Sequence, residues 1–251
     1  MIIPNLVSTR DLALLGPDYD QEDVVPNTWA AILNEYFVRM MPLGGTHTYS
    51  VDTQSYRGPA PGPRSAHKPD VIVVKMSTTL NPPQAAPLGA QPVVVTRDIL
   101  WVECKAPSHD SPGKWKDLIE QTQTRLRAAH PGRMLYVIFA VGLKWMVLKW
   151  DPTTPNPHHL QVLGSNANVA WTLDVNLHYD QTLAGQSHVI TLPNNPNQWL
   201  VDTTAAYSLD FWTMHGNPPT IRNLQALNLL ETVILGIIST NFVGNNDPEF
   251  H

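Results

Sequence analysis

Lys68-Pro69-Asp70-Val71-Ile72-Val73-Val74 and Ile99-Leu100-Trp101-Val102-Glu103-Cys104-Lys105 are the two stretches on which the reading of this chain turns. Each is an apolar run of strand character with acidic residues at one end. In a strand successive side chains alternate sides, so Glu103 and Lys105 leave the same face and Cys104 points into the core. A carboxylate and an ammonium on an apolar strand are costly to bury unless partnered. Asp70 brings a second carboxylate from the neighbouring run. Two carboxylates and a lysine brought together suit a magnesium site with a charged helper. The competing reading is a strand-start aspartate and a surface Glu103–Lys105 salt bridge.

The surrounding pattern supplies the element order. Trp29, Ile32, Leu33, Tyr36, Phe37 and Met40 recur at helical spacing after Pro26-Asn27-Thr28, and Pro42-Leu43-Gly44-Gly45 stops that helix near Met41. Thr46 to Val51 reads as a strand and residues 53 to 68 as a loop. Pro69 to Met76 is a strand whose Val-Ile-Val-Val centre expects cover on both faces. Gln91 to Thr96 is expected as an extra edge strand, and Asp98 to Lys105 as the third core strand. A helix follows from Ser111-Pro112 through Trp115, Leu118, Ile119, Thr122 and Leu126 to His130-Pro131-Gly132. Met134 to Val141 and Lys144 to Trp150 then form a hairpin around Gly142-Leu143. Short strands are expected over Leu160 to Leu163, Trp171 to His178 and His188 to Leu192. Ile221 to Thr240 is expected as a long helix, apolar around most of its circumference and therefore buried in the domain or in a subunit interface.

Composition bounds what such a chain can be. Its 251 residues are 43% hydrophobic and 15% charged, enough for a sizeable core, and no sharp break in composition divides them. We read one domain over 1–251, with a core at 26–150 and an extension over 151–251 that ends in the helix at 221–240. The 23 prolines cluster between the apolar runs, as in stiff surface loops. A net charge of -5 gives no general attraction to nucleic acid, so any basic surface must be local. The one cysteine, Cys104, excludes an intrachain disulfide and a cysteine-rich zinc site, and it reads as a buried small hydrophobe. Neither a signal peptide nor a membrane span is expected, so the chain reads as intracellular, with no membrane partner. The histidine pair His158-His159 and the scattered His178, His188 and His215 have no metal-ligand spacing. No Walker loop, dinucleotide fingerprint or Gly-x-Ser-x-Gly elbow occurs.

Taken with the order helix, three strands, helix, strand, the pair Pro69-Asp70 and Glu103-Cys104-Lys105 resembles the PD-(D/E)xK nuclease superfamily. That resemblance covers residues 26 to 150 and implies an α/β, restriction-endonuclease-like core (α-β-β-β-α-β) with a mixed central sheet flanked by helices. A β-rich C-terminal segment and the long apolar helix would extend it. The resemblance further implies a divalent-metal-dependent nuclease, most readily acting on DNA. Asp70 and Glu103 would hold Mg2+, with the backbone carbonyl of Cys104 as a third ligand and Mn2+ as a substitute cation. Lys105 would orient or deprotonate the attacking water, and the expected products carry a 5′-phosphate and a 3′-hydroxyl.

Glu35 on the first helix is the candidate to complete the metal site through water, against a solvated helix carboxylate. Gln121 is the candidate to orient the site from the second helix, with Gln123 competing. Arg57, Arg64, His67 and Lys68 before Asp70, and Lys114 and Lys116 after His109, are candidate phosphate contacts. Tyr49 or Tyr56 could stack on a base. An inactive module of the same fold that binds nucleic acid or protein, an RNA-directed nuclease and a homodimer through the C-terminal helix are the alternatives carried forward.

Overall fold

The computed structural model describes residues 23–39, 47–53, 68–79, 93–132, 134–150, 158–161, 170–173, 177–178, 190–191, 200–201, 203–204, 206–213, 220–221 and 223–239. Helix α1 (Val24–Leu33) runs into a π-helical stretch (Asn34–Arg39), and strands β1 (His47–Thr53), β2 (Val71–Thr79) and β3 (Val93–Lys105) follow. A 3-10 turn (Pro107–His109) leads to α2 (Pro112–Ala129), then β4 (Leu135–Val141) and β5 (Lys144–Trp150). Eight short strands come next: β6 (His158–Gln161), β7 (Ala170–Leu173), β8 (Leu177–His178), β9 (Ile190–Thr191), β10 (Leu200–Val201), β11 (Tyr207–Ser208), β12 (Trp212–Thr213) and β13 (Thr220–Ile221). Helix α3 (Leu224–Ser239) is the last described element.

The main sheet is mixed. Its path is β1-β2-β3-β4-β5-β11, with β8 pairing to β5 beside it. Strands β1, β2 and β3 pair antiparallel, β3 and β4 parallel, and β4 and β5 antiparallel. The parallel step needs a crossover, and α2 supplies it. Side-chain alternation divides the core into two layers. Val71, Val73, Leu100, Val102, Tyr136 and Ile138 pack under α1 and α3, while Ile72, Val74, Trp101, Val137 and Phe139 pack under α2. This double cover is why β2 reads as an unbroken aliphatic run and why every residue of β4 is buried.

Local chemistry sets the joints. Asn34 Nδ2 donates to the Ala30 carbonyl at 2.9 Å, competing with the backbone ladder where α1 widens into its π turn. The β4–β5 turn uses Gly142 at φ 58°, a left-handed conformation that glycine adopts without steric cost. His130 closes α2 and is followed by Pro131, which cannot extend a helix.

Two expectations change. Residues 93–97 are not a separate edge strand. They are the first part of β3, paired with Lys75–Thr79 beyond a bulge at which Val73 faces Leu100 and Val74 faces Asp98. The extra residue, Ile99, joins Leu100 in the α1/α3 layer and returns Asp98 to the side of Trp101. The expected long helix over 221–240, apolar around most of its circumference, is not seen. Ile221 pairs with Trp212, and Asn223 caps the following helix by accepting the Ala226 N–H on Oδ1 at 3.0 Å. Helix α3 is also one-sided: Leu227, Leu230, Val233, Ile234 and Ile237 are buried, while Leu224, Asn228, Thr232 and Leu235 are exposed. Its buried face packs in the α1/α3 layer of the chain. Among the described residues no helix is long and apolar enough to cross a membrane.

Cys104 is fully buried in the α1/α3 layer, as alternation requires. A thiol reagent should leave it unlabelled over minutes in the native protein and label it promptly in denaturant. Fast native labelling would contradict that placement.

Candidate functional site

The two opening stretches meet at one end of the sheet. The last β2–β3 pair is Val71 with Val102, so β3 continues three residues past the start of β2. Where β2 would have offered its next ladder acceptor, the Asp70 side chain takes over, with Oδ2 accepting the Cys104 N–H at 2.7 Å. Asp70 is thus tied to the strand that carries the other site residues. In a strand, the N–H and C=O of one residue point toward the same neighbour, so the Cys104 carbonyl lies on the Asp70 side of β3. On the other edge the Lys105 carbonyl accepts the Gly142 N–H at 3.0 Å, which fixes the end of β3 against the β4–β5 turn.

Glu103 points to the α2 layer and is 1% exposed. Its Oε2 accepts from Arg125 Nη1 at 2.8 Å, and its Oε1 is buried with no hydrogen-bond partner. Burial, and after it the Asp70 charge, push the Glu103 carboxyl up to about 8, against the opposing pull of Arg125 and Lys105. Asp70, Lys105 and Arg125 therefore all bear electrostatically on the Glu103 carboxyl. The surface salt-bridge reading of Glu103 and Lys105 fails on this burial.

The remaining candidates divide. Gln121 is exposed on α2, whereas Gln123 is buried toward the sheet with Nε2 lacking a partner, so the helix turns Gln121 away from the core. Glu35 lies half-buried in the π-helical turn, and among the described residues no group of three or more His, Cys, Asp or Glu stands together as metal ligands. Glu35 is therefore not gathered with Asp70 and Glu103. Tyr49 packs on Phe37 with ring centroids 5.4 Å apart, in the α1/α3 layer and not at the mouth of the site. Lys68 and Lys114 are exposed and His109 is half-buried. Lys116 faces Glu120 at 3.7 Å. Tyr56, Arg57, Arg64 and His67 lie outside the described residues.

Two side-chain pairings escaped the sequence reading, one at the site and one at the far end of α2. Arg125 follows Leu118 and Thr122 at four- and three-residue steps, on the edge of the buried stripe of α2. A cation on that stripe is the signal that could have exposed it. His130, at the foot of the same helix, sets Nε2 3.1 Å from Asp98 Oδ2, a pairing that depends on the bulge at Ile99.

Asp70, Glu103 and the Cys104 carbonyl are the oxygen donors here that could hold a hard divalent cation. Asp70 and Glu103 offer carboxylate oxygens, one of the Glu103 pair buried and unsatisfied, and Cys104 offers a carbonyl on the Asp70 side of β3. Magnesium needs few protein ligands, because it keeps several waters and takes substrate phosphates. The chain matches no known family model, no curated protein and no solved structure.

Proposed function

We propose that the chain is a magnesium-dependent nuclease on a restriction-endonuclease-like core, acting on DNA. The observation that carries this reading is the buried, unpartnered Glu103 Oε1 beside an Asp70 tied to the Cys104 N–H. The Asp70 charge raises the Glu103 carboxyl, and a divalent cation would relieve both that repulsion and the missing partner. The order helix, three strands, helix, strand, with the third and fourth strands parallel, supports the same core.

Each side chain then has a task. Asp70, Glu103 and the Cys104 carbonyl hold Mg2+, and Mn2+ can replace it. The bound cation supplies Lewis-acid charge to the scissile phosphate and lowers the pKa of a nearby water. Lys105, on the Glu103 face of β3, orients that water, helps remove its proton and offsets charge that builds on the phosphate oxygens. Attack by the water oxygen on phosphorus expels the 3′ oxygen, which takes up a proton and leaves a 5′-phosphate. The exposed Lys68 and Lys114 flank this end of the sheet and can meet phosphates on either side.

A second reading draws on one specific observation. Arg125 already gives Glu103 a counter-charge at 2.8 Å, as an inactive nucleic-acid- or protein-binding module would need if it held no cation. Digestion of double-stranded DNA, single-stranded DNA and RNA with Mg2+ or Mn2+ separates the readings. DNA cleavage that disappears in Lys105→Ala is the expected result. Cleavage of RNA alone would redirect the substrate, and no cleavage of any form would leave the binding module standing.

A further inference from the structure

Resting on the nuclease reading, we propose that Arg125 is a positioning residue, which holds one oxygen of Glu103 so that the other is presented to the divalent cation. The contact is one-sided. Nη1 meets Oε2 at 2.8 Å, and Oε1 stays buried and unpartnered. A guanidinium whose only task was neutralisation could take both carboxylate oxygens in the forked geometry natural to arginine. Here one oxygen is taken and its twin is left over, which fixes the plane of the carboxylate without using up its ligand capacity.

The support for Arg125 is rigid. Leu118, Ile119, Thr122 and Leu126 are buried on the same helix, and Thr122 Oγ1 donates to the Leu118 carbonyl at 2.7 Å. The guanidinium therefore approaches β3 from a fixed helix, while the Glu103 backbone is fixed by parallel pairing with β4. Groups that orient a metal ligand from behind commonly change metal affinity when they are removed, although they never touch the ion.

Calorimetric titration of Mn2+ into the full chain tests this, with thermal melts to establish folding. Arg125→Met should weaken Mn2+ binding by about 10–100-fold. Arg125→Lys keeps the charge and loses the planar donor, and should fall between Arg125→Met and wild type. Unchanged affinity in folded Arg125→Met overturns the proposal. Tighter binding overturns it too, because it would mean that the guanidinium competes with the cation. Should Arg125→Met not fold, Arg125→Lys decides alone: weaker binding supports the positioning role and wild-type affinity rejects it. A wild-type chain that takes up no Mn2+ and cuts nothing sinks the nuclease reading and this proposal together. Normal uptake by wild type and variant alike sinks only this one.

Discussion

Lys105→Ala is expected to lower kcat for DNA cleavage by about 10²–10⁴-fold, the usual contribution of a positioned proton-transfer group. The Lys105 carbonyl bond to Gly142, which alanine retains, should keep the end of β3 in place. Asp70 needs a more careful substitution. Its carboxylate accepts the Cys104 N–H, so alanine would remove a site charge and also orphan a backbone donor, at a cost of about 1–3 kcal/mol. Asp70→Asn keeps an acceptor oxygen for the Cys104 N–H and removes the charge, so activity should be lost while the fold persists. Initial rates with magnesium, paired with thermal melts of each variant, check both expectations. Either variant cutting DNA at the wild-type rate would remove that residue from the mechanism.

Glu103 makes the second large effect, and it is one of stability. Its carboxyl sits near 4.5 when unfolded and is raised to about 8 when folded, through burial first and Asp70 second. Between those values the folded chain binds more protons than the unfolded one, so this group's contribution declines as pH rises from about 4.5 through about 8. Each unit of separation corresponds to about 1.4 kcal/mol, so the loss amounts to a few kcal/mol. Glu103→Gln should abolish that slope and melt above wild type at pH 8 without magnesium. Magnesium at about 100 times its Kd should return about 2.7 kcal/mol to the wild type and nothing to the variant. Melts from pH 5 to 9, with and without magnesium, read all three. Parallel pH profiles in the two proteins would show that burial of Glu103 is not the source. An equal magnesium shift in both would place the cation elsewhere.

That the Glu103 carboxylate should cost stability follows from its surroundings. Asp70 is half-buried and satisfied by a backbone N–H, whereas Glu103 is enclosed with one oxygen unsatisfied. Proteins tolerate such groups where a ligand or cation later supplies the missing partner.

Much of this arrangement was legible along the chain. The strand centres Val71 to Val74 and Leu135 to Val141, and the stripe Trp115, Leu118, Ile119, Thr122 and Leu126, follow from side-chain period, because burial on a repeating element leaves a repeating mark. Strand alternation also separated the buried Cys104 from the face shared by Glu103 and Lys105. Features that break a period could not be read that way. The bulge at Ile99 hid the true length of β3, since one extra residue inverts the alternation of everything before it. A single asparagine cap shortened α3 from the extent that its leucines and isoleucines suggested. Gln121 and Gln123 are two residues apart on a helix and so face apart, and only the docking of α2 against the sheet selects Gln123 as the buried one. The Arg125–Glu103 pair and the Asp98–His130 pair join residues 22 and 32 positions apart, across separate elements. Contacts of that kind leave no periodic trace, because they depend on how two finished elements pack and not on how either one forms.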